Sequence, residues 1–117
     1  MSSNSPRIVY MGTPEFAVAP LDALVQKGYN IAGVVTVPDK PSGRGLKLNQ
    51  SAVKQYAVEH LVPNGTKLMQ PVSLKDEGFL AELRELEADM FIVVAFRMLP
   101  EVVWAMPKLG TFNLHGS

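Results

Sequence analysis

The sequence contains no cysteine and a single tryptophan, and its 11 basic residues are matched by 11 acidic ones, so the formal net charge is zero. Without cysteine there is no disulfide framework, thiolate metal site, iron–sulfur cluster or cysteine nucleophile, a composition that suits a reducing compartment. Without net charge no global field draws the protein toward nucleic acid or an anionic membrane. No apolar run approaches the ~18 residues of a membrane span. The stretch MSSNSP before the first strand pattern is too short for a signal or transit peptide, and a cytoplasmic protein is expected. Neither GxGxxG nor GxxxxGK[ST] occurs, so the sequence carries neither the usual dinucleotide fingerprint nor a P-loop.

What is present is 47% hydrophobic residue content with 9 Gly and 9 Pro in 117 residues, ordinary for one globular domain. A chain of this length buries roughly two-thirds of its unfolded surface. RIVYM at 7–11 reads as a strand, followed by GTPEF with Thr13 as N-cap and Pro14 at the first helical position. Leu21, Leu24 and Val25 give a core-facing helix stripe, with Pro20 expected to kink or restart it and Gly28 to stop it. IAGVVTV at 31–37 reads as a buried strand, PDKPSGRG as a long loop, and Val53, Tyr56, Ala57 and Leu61 as a second helix beginning near Ser51. KLMQ at 67–70 is a weaker strand candidate.

Ser73 and Asp76 have capping-box spacing ahead of Phe79, Leu80, Leu83 and Leu86, a helix whose outer face is acidic. MFIVVAF at 90–96 is the most apolar run and should be a central strand; PEVVWAM is a short helix and TFNLH a fifth strand. Strands alternating with helices predict an α/β fold: a Rossmann-like parallel sheet of about five strands with helices on both faces. Ligands in such sheets sit at the strand C-terminal ends, here Gly12, Thr13, Asp39, Phe96, Arg97, Asn113 and His115.

Charge is unevenly distributed. From Asp39 to Lys54 the basic residues Lys40, Arg44, Lys47 and Lys54 face one acid, whereas from Asp76 to Asp89 six acids face Arg84 alone. The acidic stretch reads as a solvated helix face. The basic loop is either an ordinary surface loop or a phosphate contact, with glycines flanking Arg44 and a guanidinium suited to bidentate phosphate recognition. His60 near a helix end is structural or exposed. Asn113 and His115, two apart on a strand, share a face. They are either packing residues or a pair of hydrogen-bond donors suited to an oxyanion, as acyl-type transfer would need.

The stretches RIVYMGTPEFA, TVPDKPSGRGLKL, ADMFIVVAF with the following LP, and MPKLGTFNLHGS occur in this order, and together they resemble the N-terminal part of the methionyl-tRNA formyltransferases, within the folate-dependent formyltransferase superfamily. The resemblance runs from Arg7 onward. It implies formyl transfer from 10-formyltetrahydrofolate to the amine of methionine esterified to initiator tRNA, with the donor supplying the electrophile and no metal required. It also implies that Asn113 and His115 are catalytic, that the folate pocket wall includes Phe96, Arg97, Met98 and Leu99, and that Lys40, Arg44 and Lys47 belong to the loop approaching the tRNA. Many relatives carry Tyr-Gly where this chain has Phe96-Arg97.

On this resemblance residues 1–117 are the N-terminal part of a catalytic domain, incomplete because a catalytic aspartate and a C-terminal tRNA-holding domain would follow. The chain alone is then expected to be inactive. Self-association through an exposed apolar face near Val93, Phe112 and Leu114 is also expected. Two other readings stand beside this one: another folate-dependent formyltransferase or hydrolase, and a noncatalytic Rossmann-like nucleotide-binding module.

Overall fold

The structure is a computed structural model that describes residues 6–42 and 47–114. Its elements are β1 (Arg7–Gly12), α1 (Val18–Gln26), β2 (Asn30–Val35), β3 (Lys40–Ser42), β4 (Lys47–Asn49), α2 (Ala52–His60), β5 (Lys67–Met69), α3 (Glu77–Glu85), β6 (Met90–Val94), α4 (Glu101–Trp104) and β7 (Thr111–Leu114). Five strands form one sheet in the order β5-β2-β1-β6-β7, with every neighbouring pair parallel. This is the α/β Rossmann-like architecture that the alternating periodicities predict.

The central strand shows why helices must cover both faces. Along β1, Ile8 and Tyr10 join a core cluster with Leu21 of α1 and Val53 and Ala57 of α2. The alternate residues Val9 and Met11 join Phe79, Leu80 and Leu83 of α3 and Val103 of α4. Period-two alternation thus delivers apolar side chains to both layers, and burying both is what holds a parallel sheet together.

Several local expectations are corrected. Thr13 does not cap a helix: Pro14 precedes a single 3₁₀ turn (Glu15–Ala17), α1 begins after it, and no side chain caps either start. Pro20 lies in the first turn of α1, where its missing N–H costs little; the α-helix starts there, after the 3₁₀ turn, and runs on unbroken to Gln26. The long loop contains structure, because β3 and β4 pair antiparallel as Lys40 with Asn49, Pro41 with Leu48 and Ser42 with Lys47. Asp76 rather than Ser73 is the N-cap of α3, accepting from the Phe79 N–H at 2.9 Å, while the Ser73 hydroxyl accepts from the Lys75 N–H. α2 begins next to Ser51, as expected, and Ser51 is its N-cap, accepting from the Lys54 N–H at 2.9 Å.

From β1 the chain steps outward to β2 and β5, then returns across β1 to β6, which makes the β1/β6 junction the topological switch point. Gly12 ends β1 there. A β carbon on Gly12 would lie 2.9 Å from the Val94 carbonyl oxygen and 3.1 Å from the Ala17 methyl, so close packing between strand and turn requires this glycine.

Candidate functional site

β6 is expected to reach Phe96 but ends at Val94, because Ala95 adopts a left-handed backbone with φ of 53°. A non-glycine residue there costs on the order of 1 kcal/mol and redirects the chain off the sheet. The redirected segment, Phe96 to Leu99, walls a cleft of about 910 Å³. Trp104, Lys108 and Leu109 line it from α4 and the turn beyond, and Val93, Thr111 and Asn113 line it from the last two strands.

The parallel register explains the strand contribution. Val93 pairs with Asn113 and Phe91 with Thr111, so these residues share the α3/α4 side of the sheet. The cleft therefore runs along β6 and β7 as well as at their C-terminal ends. Asn113 is exposed, leaving its amide donors accessible. Two groups singled out from sequence, Phe96 to Leu99 and Asn113, meet on this one cleft. His115 lies outside the described residues.

The expected apolar surface needs correction. Val93 is only 2% exposed, because it packs in the cluster containing Leu83 and Val103. Phe112 and Leu114, on the opposite face of the edge strand, are indeed about half exposed at 48% and 49%.

Arg97 lines the cleft and is anchored to the protein through its fork. Its Nη1 and Nη2 donate to the carbonyls of Val72 and Pro71 at 3.0 and 2.9 Å, and its guanidinium carbon lies 5.0 Å from the centre of the Phe96 ring. Burial lowers its pKa by disfavouring the charge. The fork thus ties the segment after β6 to the segment before α3, and an adjoining groove of about 420 Å³ with Ser73 and Lys75 shares Arg97, Met98 and Leu99 with the main cleft. Lys108, at the rim, sits 3.2 Å from Asp89. The Arg7 backbone N–H, followed by Lys108, holds the Asp89 carboxyl below its ordinary range.

In the basic segment, Lys40 is exposed at the start of β3 and does not line the cleft. Lys47 is placed by backbone pairing with Ser42, whereas its side chain and all of Arg44 lie outside the described residues. Lys54 is paired: its Nζ is 2.6 Å from Asp39 Oδ2, and both side chains are largely covered. Trp104, Lys108 and Thr111 were not singled out from sequence as site residues. The run VVWAM reads as an ordinary short helix, and nothing in its periodicity shows that Trp104 faces a cleft.

Among the described residues, no three of His, Asp and Glu converge as a metal-holding group, and no helix is long and apolar enough to cross a membrane. The chain matches the family described as formyl transferase over residues 6–117. It is 62% identical over 117 residues to the methionyl-tRNA formyltransferase of Bacteroides fragilis, covering all of this chain and 35% of that protein. Similarity to the methionyl-tRNA formyltransferase of Parabacteroides distasonis is 64% identity over 118 residues, again covering 100% of this chain and 35% of the relative. For the Flavobacterium johnsoniae protein of the same name the values are 60% over 111 residues, 95% of this chain and 34% of the relative. The chain thus spans about a third of the length of the curated relatives it matches.

Proposed function

The chain belongs to the formyl transferase family, and we propose that residues 1–117 form the N-terminal part of the catalytic domain of an enzyme that transfers a formyl group from 10-formyltetrahydrofolate to the amine of initiator methionyl-tRNA. The name shared by relatives 62–64% identical over the whole chain supports the reaction. The observation that carries the site is the meeting of Asn113 with Phe96 to Leu99 on one cleft.

The cleft suits the donor in size and chemistry. Small-molecule sites are roughly 300–1,000 Å³, mostly apolar with a few placed polar groups. Phe96, Leu99 and Trp104 offer apolar walls for a flat heteroaromatic ring, while Thr111 and Asn113 offer polar atoms for its edge. When bound, 10-formyltetrahydrofolate supplies an electrophilic formyl carbon, so the chemistry asks for no metal.

This chain's residues then have distinct roles. The Asn113 amide donates toward the formyl oxygen as negative charge gathers there, and the His115 imidazole is the second donor. The Phe96 to Leu99 segment orients the donor and excludes water, with Arg97 holding that segment in place through Pro71 and Val72. Lys40, Arg44 and Lys47 meet the phosphates of the tRNA, where the Arg44 guanidinium is suited to bidentate contact.

The test is formyl transfer to methionyl-tRNA by the full-length protein. Asn113→Ala is expected to lower kcat/KM by about 10²–10³-fold, the usual effect of removing one oxyanion donor. Absence of transfer by the unmodified protein, or undiminished transfer by Asn113→Ala, would overturn the reading. The 117-residue chain alone is expected to show no turnover.

A further inference from the structure

We propose that Asp39, Lys54 and Gln70 are positioning residues that clasp the root of the basic hairpin β3–β4 and set the direction in which it meets the tRNA. The inference rests on the function proposed above, but its structural part stands on contacts that do not involve substrate.

Both legs of the hairpin are cross-linked where they leave the body of the protein. On the incoming leg, buried Thr36 shares a hydrogen bond of 2.7 Å with Ser51, the N-cap of α2. Three residues later Asp39, immediately before β3, receives Lys54 Nζ at 2.6 Å. Gln70, just beyond β5, completes the clasp: its amide donates to Asp39 Oδ1 at 2.8 Å and to the Val37 carbonyl at 3.1 Å. Each Asp39 oxygen therefore has its own donor, which fixes the carboxylate plane. The outgoing leg is held by α2 itself, where Gln55 donates to the Gln50 carbonyl at 3.1 Å and the Val53 N–H reaches the Thr13 carbonyl at 3.4 Å.

The hairpin depends on this root. β3 and β4 form a separate two-stranded sheet of three residues per strand, and an isolated hairpin is marginal in water. Lys54 and Asp39 have side chains only 15% and 18% exposed, so bulk solvent and salt screen their attraction weakly. An apolar pair would serve stability at least as well as a partly desolvated ion pair. What the charged pair adds is geometry, a directional hold on the residue preceding Lys40. Because the Lys54 charge is already matched, Lys54 acts through the hairpin rather than on a phosphate.

The experiment compares full-length protein with Lys54→Met, Lys54→Arg and Asp39→Asn variants. Loss of one charge-assisted bond corresponds to about a tenfold change. In Lys54→Met and Asp39→Asn, amide hydrogen exchange of Lys40, Ser42 and residues 47–49 is expected to accelerate by about that factor, with β1 and β6 unchanged. The KM for methionyl-tRNA should rise about tenfold while kcat and the KM for the formyl donor stay near their original values. Lys54→Arg should restore both readouts. Unchanged hairpin exchange, exchange that accelerates equally in β1 and β6, or a parallel rise in both KM values would overturn the clasp. Failure of the unmodified protein to formylate methionyl-tRNA would overturn the proposed function and leave hairpin exchange alone to decide the clasp.

Discussion

Strands β1 and β7 belong to one sheet with only β6 between them, yet β1 buries every residue from Ile8 to Gly12 and β7 buries none. Composition does not account for the difference, since each strand mixes aromatic, branched and polar side chains. Position does. β1 has a neighbour on either edge and helices over both faces, whereas among the described residues β7 pairs with β6 alone. Stability is therefore concentrated in the centre of the sheet, and accessible hydrogen-bonding groups such as Asn113 are concentrated at its edge. A residue can be indispensable to one role and nearly irrelevant to the other.

The sharpest test of that division lies in β6, which borders both strands. Phe91 is fully buried, and Phe91→Ala is expected to cost about 3–5 kcal/mol, read as a lower urea midpoint. A loss below ~1 kcal/mol would mean that the centre of the sheet is not the stabilising region. The mirror prediction concerns Asn113→Ala, whose loss of activity should come with a stability change within about 0.5 kcal/mol. Marked unfolding of that variant would break the comparison from the other side.

Arg97 lies between the extremes, half-buried and bonded to two carbonyls. Arg97→Ala should cost about 1–2 kcal/mol in thermal unfolding. Arg97→Lys should recover only part, because an ammonium cannot reproduce the planar fork; full recovery would show that charge alone matters. The smallest effect is electrostatic. Hydrogen bonds from Tyr56 to Asp22, from Lys54 to Asp39 and from the Arg7 backbone to Asp89 hold these carboxyls below their ordinary value of 3.8 in the folded state. Their contribution is present above that value and is lost as pH falls through the lower folded values. Urea midpoints should thus be flat near neutrality and decline below about pH 4, with a shallower decline in Asp39→Asn.

Much of the architecture was legible because hydrophobic periodicity reports burial directly. The runs RIVYM, IAGVVTV and MFIVVAF each contain a strand, and the Leu80 and Leu83 stripe does face the core. Helix beginnings are less legible. A Ser-x-x-Asp pattern fits more than one cap, and the choice of Asp76 over Ser73 depends on where the chain enters α3. The hairpin was hidden because prolines and glycines interrupt any alternation, while its strands are held by backbone bonds that ask little of the side chains. Of the residues lining the cleft, Asn113 stands out by its spacing from His115, whereas Trp104 and Thr111 do not, because cleft-lining and core-facing residues share one composition.

By itself the sequence determined the class of fold, the order of the helices and of the strands of the main sheet, and the family, since each is written in local pattern and in the identity of consecutive residues. Tertiary structure decided which strand became an edge, which of the nearby cations was neutralised and which of the candidate residues share a cleft. Those outcomes depend on residues brought together across long stretches of chain, as Asp39 meets Gln70 over 31 positions and Arg97 meets Pro71 over 26. Packing of the whole chain selects such contacts, and local propensity does not encode them.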